Sequence, residues 1–366
     1  MSNEDKVFIA VMRLGLWGEC MLQDAVSLIN HQTVDWEQVL EMSVQQSSHG
    51  VLFDGVQLLP EQLRPERSVY MNMLALVMRM EEENKRMNTI ATQLISGLHD
   101  RGVDCLLLKG QGVARNYRNP MHRQSGDIDL LVEGDEQYAK ARSIMQRWPE
   151  TEWVPQKMHA AYSVGGTTVE LHGKYWLTIC RSTTRNLRRW DNRRIKDNPR
   201  REDGLVMPSL QYDAVFVFAH MLGHFMTGGI GFRQVVDWML LVSSHFEEIK
   251  LNELSSDLNE LGLMHFWQVF ASMAVKYLGC PSERMPFYNA RYDKKAPLVL
   301  NAILKTGNFG VKQKEEQLSS EANRWVKKVH TAVGQMPVYW RAGRVFPVDS
   351  LYCFTKYCIG VAKGVY

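Results

Sequence analysis

The sequence predicts an α+β protein that is mostly α-helical, with an α/β segment between two helical regions. Three observations support this. Apolar residues recur at helical spacing over residues 4–99, short apolar runs bounded by glycine and charged residues occupy residues 103–172, and helical spacing returns from residue 208. We therefore divide the chain into a helical N-terminal region (residues 1–100), an α/β core (101–207) and a helical C-terminal region (208–366).

Composition restricts the class of protein. The 366 residues suffice for a large core without disulfides. Lys and Arg total 43 against 40 Asp and Glu, so only local charge patterns can indicate a partner. The six cysteines are scattered and form no C-x-x-C pair, which favours a reducing, cytoplasmic location. The polar, acidic N-terminus and the lack of a run of about 18 apolar residues predict neither a secretory signal nor a membrane span.

The N-terminal region is expected to end in one long helix over residues 66–99, followed by a stop at Gly102. Residues 103–108 then form an apolar run closed by Lys109 and Gly110, which predicts a buried strand. The other predicted elements of the core are a short helix at 112–117, a strand at 128–132, a helix at 136–148, and a hairpin of residues 161–164 and 167–172 that turns at Gly165 and Gly166.

In the C-terminal region, helical spacing runs from residue 208 to about residue 278 and returns at residues 323–333 and 351–365. Residues 307–322 are polar enough to form a linker or a mobile loop. The sequence contains no internal repeat that would indicate a solenoid.

Two aspartates open the second predicted strand of the core. Side chains two residues apart on a strand share a face, so Asp127 and Asp129 project together while Ile128 and Leu130 face the core. Adjacent carboxylates repel unless a cation lies between them, and hard oxygen ligands suit Mg²⁺ or Mn²⁺. The pair therefore predicts a metal site, although a D-x-D pattern also occurs on solvated surface loops.

A lysine and two glycines lie where the first predicted strand gives way to a helix. Gly110 and Gly112 allow backbone N–H groups to approach phosphate oxygens, and Lys109 adds a positive charge for a triphosphate. Farther along, Arg123 either contacts phosphate through its planar guanidinium or holds the acidic loop in place.

The segments LLLKGQGVARNY and RQSGDIDLLV resemble the DNA polymerase beta-type nucleotidyltransferase superfamily. More narrowly, they resemble an uncharacterised bacterial nucleotidyltransferase family, and they are similar to toxin–antitoxin nucleotidyltransferases. The match covers residues 103–172 well and residues 220–238 more loosely. It implies a nucleotidyltransferase-type mixed β-sheet core, a divalent metal on Asp127 and Asp129, and a nucleoside triphosphate as substrate. It also gives the phosphate-loop role to Gly110 and Gln111, with Gln111 in place of the usual small residue.

The resemblance also implies a third carboxylate on a neighbouring strand. We choose Glu170, because strand alternation puts Thr168, Glu170 and His172 on one face of the predicted hairpin. The alternative is that Glu170 is a cross-strand salt-bridge partner. His172 is a general base, a phosphate contact or a structural histidine.

A polar group in the C-terminal region forms a further candidate. His220 and His224 share a helix face, but no glutamate follows as a zinc protease requires. The family that this sequence resembles has histidine, arginine and aspartate at similar positions. The resemblance implies that this group forms one wall of the cleft that binds nucleotide or acceptor. Arg233 would contact phosphate, and Asp237 and the histidines would orient it. The alternative is that these residues are polar contacts between packed helices.

Residues 181–201 contain nine lysines and arginines and only two acids. Such a stretch produces a local positive field that attracts phosphates or nucleic acid in a salt-dependent way. The alternative, which we prefer, is a solvated and partly disordered connector between the α/β core and the C-terminal helices.

The sequence thus predicts a metal-dependent nucleotidyltransferase that moves a nucleoside monophosphate to an acceptor hydroxyl. The acceptor is a small molecule, an RNA or a protein; we expect no DNA and no membrane as partner. Two alternatives stay open: a catalytically silent protein that binds nucleotide or a partner, and an RNA-directed toxin of a toxin–antitoxin pair. The predicted catalytic residues are Asp127, Asp129 and Glu170, and the predicted substrate-binding residues are Lys109, Gly110, Gln111, Arg123, Ser125, His172 and Arg233.

Overall fold

The protein is described by a computed structural model that covers residues 1–31, 33–154, 160–173, 177, 179–308 and 334–363. It confirms the predicted fold class, because helices dominate and surround one mixed five-stranded sheet. The helix predicted at residues 323–333 lies outside the described residues, as does the predicted linker beyond residue 308. The region boundaries near residues 100 and 207 stay a prediction.

Helices make up most of both terminal regions, as the sequence predicts. Within the described residues, no helix has both the length and the apolar composition needed to cross a membrane. The helices are α1 Asn3–Trp17, α2 Leu22–Asn30, α3 Trp36–Gln45, α4 His49–Leu58, α5 Arg67–His99, α6 Gly110–Ala114, α7 Asp135–Met145, α8 Arg181–Arg194, α9 Leu210–Thr227, α10 Phe232–Ser244, α11 Leu251–Leu261, α12 Met264–Leu278, α13 Ala296–Thr306, α14 Met336–Val345 and α15 Pro347–Lys363. Single 3₁₀ turns lie at Gly18–Met21, Glu61–Leu63, Pro120–His122, Ser282–Arg284 and Ala290–Tyr292.

The long helix α5 connects two hydrophobic cores. It spans 33 residues and ends just before Gly102, which has φ 71°, so the prediction of a helix over residues 66–99 is confirmed. In its first half, Val69 and Met73 pack into a core shared with the N-terminal and C-terminal helices. In its second half, Met87 and Leu94 pack into a separate core beneath the sheet. The helix therefore fixes the sheet relative to the helical regions.

The sheet has the strand order β1-β2-β5-β4-β3. Strands β2 and β5 are parallel, and the other neighbouring pairs are antiparallel. The predicted hairpin is confirmed as β4 and β5, which are joined through Gly165 and Gly166 at φ 54° and 76°. The strands are β1 Leu106–Leu108, β2 Asp127–Leu131, β3 Thr151–Val154, β4 Ala160–Val164 and β5 Thr167–His172, with a separate hairpin of β6 Arg200–Glu202 and β7 Leu205–Met207.

Strand β3 and the β6–β7 hairpin were not predicted from the sequence. Strand β3 is a four-residue edge strand in which Thr, Glu, Trp and Val give no clean alternation of polar and apolar residues. Strands β6 and β7 have three residues each, too few for a periodic pattern to emerge.

The two faces of the central strands have different environments. Ile128 and Leu130 of β2, with Val169 and Leu171 of β5, pack into the core beneath the sheet together with α5 and α7. Because side chains alternate along a strand, the aspartates of β2 lie on the opposite face. That face lies toward α9, where His220 contacts the side chain of Lys109, the residue that follows β1.

The interpretation of residues 181–201 as a partly disordered connector is wrong. Residues Arg181–Arg194 form helix α8, which buries Leu187 and Trp190 in the large helical core. The Trp190 ring stacks on Tyr212 of α9 with centroids 5.1 Å apart. Its arginines Arg189, Arg193 and Arg194 form ion pairs with Glu253, Asp257 and Glu260 of α11.

Candidate functional site

Acidic side chains meet where strands β2 and β5 run parallel. In the register of these strands, Asp129 lies opposite Glu170. Ligand atoms of Asp129, Glu170 and His172 all lie within 4.8 Å of one another. Asp127 precedes them on the same face of β2 because it lies two residues from Asp129. The parallel pairing thus brings two carboxylates and one imidazole close together, with the carboxylate of Asp127 on the same face of the sheet.

Asp129 is the buried centre of this group. Its side chain is 1% exposed. Its Oδ2 lies 2.9 Å from Nζ of Lys109, and its Oδ1 lies 2.8 Å from Nε2 of His172. Burial alone would raise the pKa of Asp129, but Lys109 and His172 outweigh that effect and hold the pKa well below its ordinary value. Asp129 is therefore ionised and in contact with a cation.

Asp127 differs from its neighbour although it lies on the same strand face. Among the described residues, no hydrogen bond or ion pair engages its carboxylate. Burial raises the pKa of Asp127, and the charges of Asp129 and Glu170 raise it further against the opposing charge of Lys109. The carboxylates of Asp127, Asp129 and Glu170 thus repel one another, and a bound metal ion would relieve that repulsion.

His172 joins two of these carboxylates. Its Nε2 lies 2.8 Å from Oδ1 of Asp129 and 3.5 Å from Oε2 of Glu170. Burial lowers the pKa of His172, but the hydrogen bonds to Asp129 and Glu170 outweigh burial and raise the pKa. His172 therefore orients both acids from the end of β5.

Lys109 enters the site from a strained turn between β1 and α6. Its backbone has φ 53°, a conformation that side-chain-bearing residues adopt rarely, and Gly110 follows at φ 47°. Nζ of Lys109 also lies 3.2 Å from Nε2 of His220 on α9. Backbone strain of this kind is found mainly at functional sites, where the surrounding structure maintains it.

The histidine pair of α9 forms the wall opposite β2. Nε2 of His220 lies 3.1 Å from Nε2 of His224. Burial lowers the pKa of His220, and that of His224 to about 4, with the charge of Lys109 acting in the same direction. Both imidazoles are therefore neutral near pH 7, and His220 accepts a hydrogen bond from Lys109.

The loop that leads into β2 is held by a buried ion pair. Arg123 is 5% exposed, and its Nε and Nη2 each lie 2.8 Å from a carboxylate oxygen of Asp237 on α10. The Tyr117 hydroxyl donates to the same carboxylate at 2.7 Å. This geometry corresponds to the second predicted role of Arg123, holding the acidic loop, because its guanidinium faces Asp237.

Ser125 and Arg233 also contact this loop. The hydroxyl of Ser125 accepts a hydrogen bond from Nη1 of Arg123 at 3.1 Å. Nη1 of Arg233 donates to the carbonyl oxygen of Gln124 at 2.8 Å, while its buried Nε has no hydrogen-bond partner among the described residues. Both side chains therefore lie next to the segment that presents Asp127.

Gln111 lies apart from the carboxylates. Its side chain is buried, and its Nε2 lies 3.6 Å from the sulfur of Met87 on α5. Its Oε1 is buried without a hydrogen-bond partner among the described residues. The structure thus directs the Gln111 side chain toward α5, and leaves Gly110 as the member of that pair beside Asp127.

Two residues that support the loop were not selected from the sequence. Tyr117 appeared only as the end of a predicted helix. Asn84 of α5 donates through Nδ2 to the carbonyl oxygens of Met121 and Arg123, each at 2.8 Å. These contacts join positions 37 and 39 residues apart, so no local spacing in the sequence could indicate them.

Comparison with known proteins places this site within a family. The family described as "Uncharacterised nucleotidyltransferase" matches residues 32–279, more than half of the chain and every site residue named above. Among solved structures, an antigenic nucleotidyltransferase-like protein from Paracoccidioides brasiliensis is similar at 15% identity and a TM-score of 0.33, over 56% of this chain and 95% of that chain. No curated protein matches significantly. The chain belongs to the uncharacterised nucleotidyltransferase family.

Proposed function

We propose that this protein transfers a nucleoside monophosphate from a nucleoside triphosphate to an acceptor hydroxyl, with a divalent metal ion. The observation that carries the proposal is the meeting of Asp129, Glu170 and His172 at a buried cation contact, with Asp127 two residues before Asp129 on the same strand face. Membership of a nucleotidyltransferase family supports the class of reaction.

The side chains present suit a hard divalent cation. Carboxylate oxygens are the ligands that Mg²⁺ and Mn²⁺ prefer, and Mn²⁺ also accepts an imidazole nitrogen such as that of His172. The ammonium of Lys109 against Asp129 indicates that the position favours a positive charge. In the proposed complex Asp127 and Asp129 hold the ion. When bound, the ion neutralises negative charge on the triphosphate and on the departing pyrophosphate.

The chain's own groups would position the reactants. Lys109 donates hydrogen bonds to oxygens of the triphosphate tail, and Gly110 leaves room for a phosphate near the backbone of β2. Arg233, next to the loop that presents Asp127, contributes a second positive charge toward the phosphates.

Glu170 would accept the proton of the acceptor hydroxyl on a carboxylate oxygen. The acceptor oxygen then forms a bond to the α-phosphorus, the bond from that phosphorus to the α–β bridging oxygen breaks, and pyrophosphate leaves. The proposal covers a small molecule, an RNA or a protein side chain as acceptor. The cytoplasmic location and the placement in the DNA polymerase beta-type superfamily stay predictions.

The proposal is tested by incubating purified protein with each α-³²P-labelled nucleoside triphosphate and Mg²⁺ or Mn²⁺. Label transfer to the protein itself, to total RNA and to small-molecule extracts is measured together with pyrophosphate release. We expect release that stops with EDTA and in Asp129→Asn, and that persists in Asp104→Asn, the same change at an exposed position that pairs with His99. Nucleotide binding without any turnover would favour the catalytically silent alternative instead.

A further inference from the structure

We infer that Lys109 is an internal competitor of the metal: in the free protein its ammonium occupies the place at Asp129 that the metal takes when nucleotide binds. The inference rests on the proposed function and deepens it. It predicts that metal and nucleotide bind together, and that metal alone binds weakly.

Both carboxylate oxygens of Asp129 are already in contact with a side chain of the protein. With 1% of its side chain exposed, it has no access to compensating water, and an unpaired buried carboxylate would be strongly unfavourable. Its two oxygens are engaged separately, Oδ2 by Lys109 and Oδ1 by His172. A metal that uses Asp129 as a ligand must therefore displace or crowd one of these contacts.

Of these two contacts, that of Lys109 is the one that moves. Its ammonium ends a flexible stem of four carbons and is 17% exposed, whereas His172 lies at the end of a strand whose register is fixed by pairing with β2. The ammonium and a metal ion are both positively charged, so they repel each other strongly when both contact one carboxylate oxygen.

Lys109 has other hydrogen-bond acceptors within reach. Its Nζ already lies 3.2 Å from Nε2 of His220, on the wall opposite Asp129. The oxygens of a triphosphate would provide stronger, charged acceptors. Lys109 would thus exchange Asp129 for phosphate as the metal enters with the nucleotide.

Asp127 explains how the exchange begins. No partner among the described residues hydrogen-bonds to its carboxylate, so it is available to a metal–nucleotide complex before Lys109 leaves Asp129. Thermodynamic linkage then requires that nucleotide raises metal affinity and that metal raises nucleotide affinity by the same factor.

The decisive experiment measures Mn²⁺ binding to the full chain without nucleotide, by the loss of the free Mn²⁺ signal in electron paramagnetic resonance. Lys109→Gln removes the competing charge. Lys140→Gln removes the same charge from α7, which packs on the opposite side of the sheet. We expect Lys109→Gln to bind Mn²⁺ at least about tenfold more tightly than the wild type, and Lys140→Gln to bind it as the wild type does.

A second readout is the melting temperature. Mn²⁺ alone should raise the melting temperature of Lys109→Gln more than that of the wild type, because a ligand that binds only the folded state stabilises it in proportion to its affinity. With a non-hydrolysable triphosphate present, the order should reverse, since Lys109→Gln lacks the phosphate contact.

The outcomes separate the two proposals. If the wild type binds Mn²⁺ with the triphosphate analogue but folded Lys109→Gln gains nothing without it, the inference about Lys109 is overturned and the proposed function stands. If neither protein binds Mn²⁺ under either condition, both are overturned. A crystal structure of the wild type with Mn²⁺ and the analogue provides a test that needs no variant: Nζ of Lys109 should contact phosphate, and an unchanged contact with Asp129 beside bound metal would contradict the inference.

Discussion

Two charged clusters in this protein each contain three acids, and they differ in how those acids are balanced. In the α8–α11 cluster, Glu253, Asp257 and Glu260 face three arginines of α8 at distances of 2.6 to 3.0 Å. In the site, Lys109 and His172 contact Asp129, His172 also reaches Glu170, and Asp127 has no hydrogen bond or ion pair among the described residues. Each acid of the first cluster is paired with an arginine, whereas the site leaves the Asp127 carboxylate without a hydrogen bond or ion pair among the described residues.

A run of charge in a sequence is therefore a poor guide to where a carboxylate without a partner lies. In the most basic stretch of the chain, residues 181–201, three of the nine basic side chains pair with acids of α11 and hold α8 to that helix. The short D-I-D motif contains the acid without a hydrogen bond or ion pair among the described residues, Asp127, and parallel pairing brings Glu170 beside Asp129.

The largest effect is expected from Asp129→Asn. The substitution keeps the size of the side chain and removes the charge that holds metal and Lys109, so nucleotidyl transfer should fall by at least about a thousandfold. Pyrophosphate release per folded molecule is the measurement, with the urea midpoint as the check on folding. Activity within tenfold of the wild type would show that the reacting centre lies elsewhere. It would also mean that the site does not differ in function from the α8–α11 cluster.

Next in size is Asp237→Asn, which tests the buried pair that joins the site loop to α10. Arg123 would stay buried beside a neutral amide, so we expect a loss of about 3 to 4 kcal/mol in the free energy of unfolding. Tyr117→Phe removes a single hydrogen bond to Asp237 and should cost only about 1 kcal/mol. Equal losses from the two variants in urea titrations would contradict a dominant role for the charge.

These contacts show how far local sequence patterns reach. Helix α5, the hairpin of β4 and β5 and the alternation of Asp127 and Asp129 follow from spacing within one element, and all were predicted. The pairing of Arg123 with Asp237 spans 114 residues, and that of Arg193 with Asp257 spans 64. Partners at such separations are determined by the packing of the whole fold. The sequence therefore indicated Arg123 as a site residue but left two roles open, contacting phosphate or holding the acidic loop.

A third prediction applies the Asp129 substitution to the other cluster. Asp257 is also 1% exposed, and its two oxygens receive Arg193 and Arg194. Asp257→Asn should lower the free energy of unfolding by about 2 to 3 kcal/mol. This loss is smaller than that from breaking a fully buried ion pair, because Arg193 reaches solvent and keeps its contact with Glu260.

The measurement for Asp257→Asn combines urea unfolding with turnover per folded molecule. We expect stability to fall and turnover to stay within twofold of the wild type, the opposite of the result for Asp129→Asn. A loss of turnover without a loss of stability would mean that the α8–α11 cluster takes part in the reaction.

The smallest effect is expected from Arg189→Gln, at the exposed edge of the same cluster. The Arg189 side chain is 70% exposed, so its ion pair with Glu260 is screened by water and should contribute less than about 1 kcal/mol to the free energy of unfolding. Because Glu260 already engages this arginine, we also expect no change in RNA affinity beyond the general effect of one charge. Filter binding of total RNA at two salt concentrations, with Lys140→Gln as the charge-matched control, checks this expectation. A loss of RNA affinity confined to Arg189→Gln would show that the helix presents its arginines to nucleic acid despite their ion pairs, and would strengthen the alternative of an RNA-directed protein over a structural role for α8.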